Sequence, residues 1–370
     1  MARIGVIFGG RSVEHEVSVT SARTVAQGLE EAGHEVVPLG IGPDGVWVDR
    51  ETAAAALAGE LDRLPEGRGS AVSSLSHLVE AAADRGVEAV FPIVHGTWGE
   101  DGTLQGLCEM ADLPYAGADV TASALAFDKV LTKRQLEAVG IPVVPYETVE
   151  RRRFESDPDD FLRRLERFDP PLFVKPRAGG SSVGVRRAGA PEELDEAVRF
   201  ALRFDDGVLV EQGVRGRELE VAVLGPRGEL RASVVGEIVP GREFYDYEDK
   251  YLTDGAELIA PAELPDGLAE RLGDLAVRAF GALGGHGMAR VDFLLESEPA
   301  AGEDGVFVNE INTLPGFTSI SMYPRLWGLS GIPLPELVDR LVRIAVDRHR
   351  ERHRLDEGIR AWIAELAGRA

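Results

Sequence analysis

The sequence predicts an α/β protein of three domains that begins with an open parallel sheet. Three observations carry this reading. Short apolar runs at residues 4–8, 35–39 and 89–94 alternate with helical stretches, as buried parallel strands do. The chain has 370 residues, enough for two or three domains with substantial cores. Near the far end, two strand-like stretches at residues 288–295 and 306–312 carry acidic and amide side chains at alternating positions.

Taken in order, the first unit covers residues 1–118. Its first strand, Ile4-Gly-Val-Ile-Phe8, is broken by Gly9-Gly10, and Ser12 is placed to cap a helix over residues 16–32 that Gly33 ends. A second strand at residues 35–39 and helices at residues 53–61 and 72–84 follow. The strand at residues 89–94 runs into His95-Gly-Thr-Trp-Gly-Glu-Asp-Gly-Thr103. Ligands in such sheets sit beyond the carboxyl ends of strands, where Glu14, His15 and His95 fall. The double glycine lacks the G-x-G-x-x-G spacing of a dinucleotide site.

The second unit covers residues 119–211. Asp119 or Thr121 caps one helix holding Lys129 and Lys133, and Gly140 stops it. An arginine-rich connection leads to Leu172-Phe-Val-Lys175 and then to Pro-Arg-Ala-Gly-Gly-Ser-Ser-Val-Gly184. A strand ending in lysine before a loop of glycine and serine suits an anion, because glycine lets backbone N–H groups close on phosphate oxygens. The lysine precedes the glycines, so this is not a Walker A loop. Glu211 ends the next strand, where it accepts from an adenine amino group or a ribose hydroxyl, or faces solvent.

The third unit covers residues 212–355. Strands at residues 219–224 and 230–237 flank a Gly-Pro-Arg-Gly turn, and residues 242–253 form an aromatic, charged stretch without periodicity that reads as a lid. A helix at residues 268–283 precedes the paired strands. Alternation puts Arg290 and Asp292 on one face, and Glu310 and Asn312 on one face of the partner strand. Pairing brings hard oxygen ligands together, as magnesium prefers, with Arg290 beside them for an anion. A helix at residues 334–352 carries His349 and His353 four apart among arginines, which reads as a solvated face. The tail, residues 356–370, carries no assigned role.

Composition narrows the function. The net charge of −23 leaves no basic stripe for nucleic acid. The single Cys108 excludes an intramolecular disulfide framework and a cysteine-rich zinc site. No apolar run spans a membrane and no leader precedes the first strand, so a cytoplasmic protein is expected.

Six motifs in order resemble the D-alanine–D-alanine ligase family of the ATP-grasp superfamily over nearly the whole chain. They are Gly9-Gly-Arg-Ser-Val-Glu-His-Glu-Val-Ser18, His95-Gly-Thr-Trp-Gly-Glu-Asp-Gly-Thr-Leu-Gln-Gly106, Lys175-Pro-Arg-Ala-Gly-Gly-Ser-Ser-Val-Gly184, Tyr245-Asp-Tyr-Glu-Asp-Lys-Tyr251, Ala289-Arg-Val-Asp292 and Asn309-Glu-Ile-Asn-Thr-Leu-Pro-Gly316. The resemblance implies an ATP-grasp architecture with ATP between the second and third domains, two Mg²⁺ or Mn²⁺ ions, a homodimer, and a role in peptidoglycan precursor synthesis. It implies that ATP phosphorylates the carboxylate of one D-alanine and that the amine of a second attacks the acyl phosphate.

The resemblance also implies roles. Lys129, Lys175 and Lys250 neutralise ATP phosphates, while Glu211, Val214 and Glu218 hold the adenosine end. Asp292, Glu310 and Asn312 hold metal, and Arg290 and Gly316 face the tetrahedral intermediate. Glu14 anchors the first ammonium and joins Ser181 and Tyr251 in closing the site; His95, Ser321 and Met322 place the second substrate. Gln212 departs from the family, many of whose members carry lysine there. A D-alanine–D-lactate ligase is the nearest alternative, and a nucleotide-binding regulator without catalysis a more distant one.

Overall fold

A computed structural model describes residues 1–67, 69–70, 76, 78–80, 86–240, 257–299 and 305–367. The 242–253 stretch, with Lys250 and Tyr251, lies outside them, as does most of the 72–84 helix.

The first sheet is parallel, with β1 (Arg3–Gly9) between β2 (Glu35–Ile41) and β3 (Ala89–Pro92). Every β1 residue after Arg3 is buried, as an apolar central strand requires. At Gly9 the chain takes φ +88°, and a Cβ there would stand 2.2 Å from the Ile41 carbonyl oxygen. Only glycine makes this exit. The helix that follows, α1 (His15–Glu31), has Glu14 at its N-cap; the Ser12 hydroxyl instead accepts from the Glu14 N–H, two residues before the cap position. Gly33 ends α1 as expected, with φ +87° and the His34 N–H bonded back to the Leu29 carbonyl. Next come α2 (Arg50–Leu57), capped by Asp49, and α3 (Thr103–Met110).

The segment expected as one helix is two, α4 (Val120–Phe127) and α5 (Lys129–Ala138). Asp128 divides them: its backbone is extended, and its carboxylate accepts from the N–H groups of Val130 and Leu131. A capping aspartate in mid-pattern competes with helix continuation, and here it wins. Ala122, Ala126 and Leu136 pack into the core of the last sheet. The second sheet is antiparallel, in the order β4 (Tyr146–Glu150), β7 (Gly207–Gln212), β5 (Leu172–Pro176), β6 (Arg186–Ala188). Short helices α6 (Arg151–Ser156), α7 (Pro158–Leu165) and α8 (Leu194–Ala201) cover it through Phe154, Phe161 and Val198.

The third sheet is also antiparallel, in the order β10 (Glu257–Ile259), β9 (Arg231–Val239), β8 (Gly216–Gly225), β11 (Gly287–Glu296), β12 (Val306–Asn312). The helix α9 (Leu268–Ala282) packs on it with Leu272, Ala276 and Phe280. After β12 come α10 (Met322–Leu329) and α11 (Leu334–Ala367). The first turns of α11 return to the first sheet, where Leu337, Val338 and Leu341 join Ile4, Phe8 and Val25. This core also takes in Leu224, Met288 and Phe317, so the first and third sheets share it. The helix does not stop at residue 352; it runs through the expected tail to Ala367, where all residues from Glu351 on are exposed.

Candidate active site

The register of β11 and β12 builds the centre of the site. Asp292 stands opposite Glu310 and Arg290 opposite Asn312, the arrangement alternation predicts. A bulge follows: Asp292 pairs with Glu310 but Phe293 with Val308, leaving Asn309 as the extra residue. Bulges re-aim side chains beside sites, and no alternation pattern announces this one. The Arg290 guanidinium forks onto Asp292 with two contacts of 2.7 Å and reaches Glu220 at 3.0 Å. The Asn312 amide nitrogen donates to the same carboxylate at 2.9 Å. Burial alone would lower the Arg290 pKa, but Asp292 and Glu220 hold it well above its ordinary value. The guanidinium is therefore a fixed positive charge.

These groups line a cavity of about 300 Å³ between the three sheets. Lys129 and Lys175 stand on its wall, with Lys129 3.9 Å from Glu310 and donating to the Gly179 carbonyl at 2.5 Å. The loop beyond Lys175 carries Ser181 and Ser182 at φ +50° and +56°. Two successive left-handed residues other than glycine cost energy, and such strain gathers at ligand sites. At the other end, the Glu14 carboxylate sits 3.3 Å from where a Cβ on Gly96 or Gly180 would be, so the first sheet and the loop meet there.

His95 is buried, with Nδ1 3.0 Å from the Leu314 carbonyl and Nε2 3.2 Å from the Ser21 hydroxyl. A carbonyl only accepts, so Nδ1 carries the proton and Nε2 accepts from Ser21. Ser21 in turn accepts from the Phe317 N–H at 3.1 Å. Burial lowers the His95 pKa, against the pull of Glu14, and favours the neutral ring. Ser321 caps the turn after Pro315-Gly316 by accepting from the Thr318 N–H. A Cβ on Gly316 would lie 2.7 Å from its hydroxyl, so a side chain there would have to displace Ser321.

Of the expected site residues, Glu14, His95, Lys129, Lys175, Ser181, Glu218, Arg290, Asp292, Glu310, Asn312, Gly316, Ser321 and Met322 share this one cavity. Glu211 and Val214 are not on its wall. Glu211 does not face solvent either. It is buried, pairs with Lys133 at 2.6 Å and with Lys175, and those lysines outweigh burial to hold its carboxyl at about 2. Gln212 bonds both the N–H and the carbonyl of Asp169. Three residues went unread in the sequence. Glu100 lies inside a quoted motif and faces the cavity; burial and the Glu14 charge push its carboxyl up to about 8. Glu220 follows Glu218 by two on β8, opposite Asp292, a spacing alternation could have flagged. Lys133, on α5, gave no signal, because its partner Glu211 lies on β7.

Two carboxylates and an amide, with Asn312 turned so that its nitrogen meets Asp292, make an oxygen-donor set that suits a hard divalent cation. A glycine- and serine-rich loop, two lysines, a carboxylate-lined face and a buried arginine meeting between antiparallel sheets have the arrangement of an ATP-grasp ligase. Family models described as the D-ala D-ala ligase N-terminus and C-terminus match residues 3–118 and 135–343. A D-alanine–D-alanine ligase of Mycolicibacterium vanbaalenii is 45% identical over 367 residues, covering 94% of this chain and 97% of that protein. One from Solibacter usitatus is 43% identical over 350 residues, covering 95% and 97%. The solved D-alanine-D-alanine ligase of Coxiella burnetii superposes with a TM-score of 0.77 at 35% identity, covering 98% of this chain and all of that one. The VanG D-Ala:D-Ser ligase of Enterococcus faecalis gives 0.76 at 32%, covering 93% and 99%. The chain belongs to the D-alanine–D-alanine ligase family, whose members are ligases that use ATP and divalent metal ions. Among the described residues no helix is long and apolar enough to cross a membrane.

Proposed function

We propose that this protein joins two D-alanine molecules into D-alanyl-D-alanine, with ATP converted to ADP and phosphate, through a D-alanyl phosphate. The observation that carries the proposal is the single cavity with Lys129 and Lys175 at one side, Asp292 and Glu310 in the middle and Glu14 and His95 beyond.

The chemistry needs a nucleophilic carboxylate held in line with the γ-phosphate, and charge neutralisation as the phosphoryl group moves. Glu14 binds the ammonium of the first D-alanine, which leaves its carboxylate toward the phosphates. Lys129, Lys175 and Lys250 neutralise phosphate oxygens; Glu218, with Glu211 and Val214 behind, holds the adenosine end. Asp292, Glu310 and Asn312 would hold two magnesium or manganese ions. Held there, they would supply positive charge to offset the negative charge that moves with the phosphoryl group. Arg290, pinned by Asp292, faces the oxyanion that forms when the second amine attacks, and Gly316 presents its N–H to it. His95, Ser321 and the Met322 backbone orient the second D-alanine. Tyr251 and Ser181 complete the enclosure with Glu14. Exclusion of water matters because water also attacks an acyl phosphate. We further propose a homodimer working in the cytoplasm on peptidoglycan precursors.

The test is ADP release with D-alanine, L-alanine, D-serine and D-lactate in parallel, each with product mass. D-alanine alone should yield the dipeptide, and no ADP release with D-alanine would end the proposal. Glu310→Gln and Asp292→Asn should each lower kcat by about a hundredfold or more with the fold intact by circular dichroism. Near-native turnover at saturating magnesium would remove them from the metal site.

A further inference from the structure

Far from the catalytic cavity, three metal-ligating side chains converge where α11 leaves the body. His349 and His353 lie one turn apart on α11, and Asp112 reaches them from the turn after α3, 241 positions earlier than His353. His353 Nε2 is 2.8 Å from Asp112 Oδ1 and 3.0 Å from His349 Nε2, and His349 Nε2 is 3.5 Å from Asp112 Oδ1. We propose that Asp112, His349 and His353 form a zinc site that clamps α11 to the first domain.

The geometry suits the ion. Ligands about 2.0–2.1 Å from a tetrahedral zinc stand roughly 3.3 Å apart, and the three edges bracket that value. Two imidazole nitrogens also select zinc over magnesium, which prefers oxygen throughout. Three protein ligands leave a fourth position for water.

The frame around the triangle is fixed independently of any ion. Asp112 takes φ +55° at the end of α3, with its N–H bonded to the Glu109 carbonyl, which turns its side chain outward. Glu109 pairs with Arg352. Arg348 donates to the carbonyls of Gly117 at 2.9 Å and Tyr115 at 2.8 Å, and its guanidinium lies 4.1 Å over the Tyr115 ring. Arg352, read from the sequence as part of a solvated face, and Arg348 thus dock the helix on residues either side of Asp112. The remaining ones are partnered, Arg350 with Asp347 and Arg354 with Glu351. A net charge of −23 further favours a bound cation.

A shared proton is the competing account of three polar atoms so close together. Titration separates the two. Zinc chloride is added to the full-length protein by calorimetry with millimolar magnesium present, and cobalt is followed by its visible absorption. One zinc per chain is expected, with cobalt bands of a nitrogen-ligated tetrahedral ion and a rise in melting temperature. Asp112→Asn and His353→Ala should each weaken binding at least about tenfold while leaving secondary structure and magnesium-dependent turnover as in the parent. Should either variant misfold, His349→Gln and His353→Gln carry the same expectation. Absence of saturable zinc binding overturns the proposal. So does binding that all these variants retain, which would place the ion elsewhere.

Discussion

Glu211 shows how far a single residue can be read. Its position at a strand end was visible, but its carboxylate is committed to Lys133 and Lys175. The partner lysine lies on α5, and nothing local in the sequence ties that helix to β7. Glu100 was hidden for a different reason: a carboxyl inside a motif betrays its environment only when Glu14 and the cavity wall surround it. Its pKa stands at about 8 in the fold against an ordinary 4.5, so the folded state keeps a proton the unfolded chain has shed. The stability this group lends is therefore complete below about pH 4.5 and falls as pH rises toward 8. Glu100→Gln, which cannot ionise, should gain melting temperature relative to the parent as pH goes from 5 to 8. A gap that stays constant across that range would show that Glu100 does not hold the proton.

At the scale of elements, the paired strands β11 and β12 were legible because alternation has a fixed period of two and both strands obey it up to the bulge. The bulge itself was not, since it depends on which residues pair across strands. The α4–α5 break shows the same limit. The apolar pattern runs through Asp128, and only the competition between cap and helix divides it. That cap has a second load. One Asp128 oxygen accepts from Val130 and Leu131, while the other takes Arg177 at 2.6 Å, and Lys129 is the first residue of the helix it caps. Asp128→Ala should cost about 0.5–2 kcal/mol of stability by denaturant unfolding. It should also raise the KM for ATP more than that for D-alanine, because Lys129 loses its footing on the phosphate side. Asp128→Asn, which keeps an acceptor for the two N–H groups, should recover most of the stability. Equal effects on both KM values would mean that the cap serves the fold alone.

For the whole molecule, the sequence predicts three units but not how the chain closes on itself. The first half of α11 packs into the first domain's core, and the second half carries Leu355, Ile359, Trp362 and Leu366 exposed along one stripe. The 3- and 4-residue spacing is the same in both halves, so periodicity cannot tell the docked half from the free one. The difference comes from distant surfaces: Leu334 and Val338 seat against Gly28 of α1, where a Cβ would stand 3.0 Å from Leu334. Beyond His353, which still meets Asp112, the helix continues on its own propensity. Two variants weigh these halves. Leu341 is fully buried, so Leu341→Ala should cost about 2–5 kcal/mol through lost contacts and a cavity. Truncation after Arg354 removes no side chain that is buried among the described residues and should shift the melting temperature by only about 1 °C, with turnover unchanged. It should also improve solubility, because it deletes a contiguous apolar patch from the surface. A truncation as damaging as Leu341→Ala would mean that the stripe is covered in solution, and that the exposed half of α11 is part of a larger core.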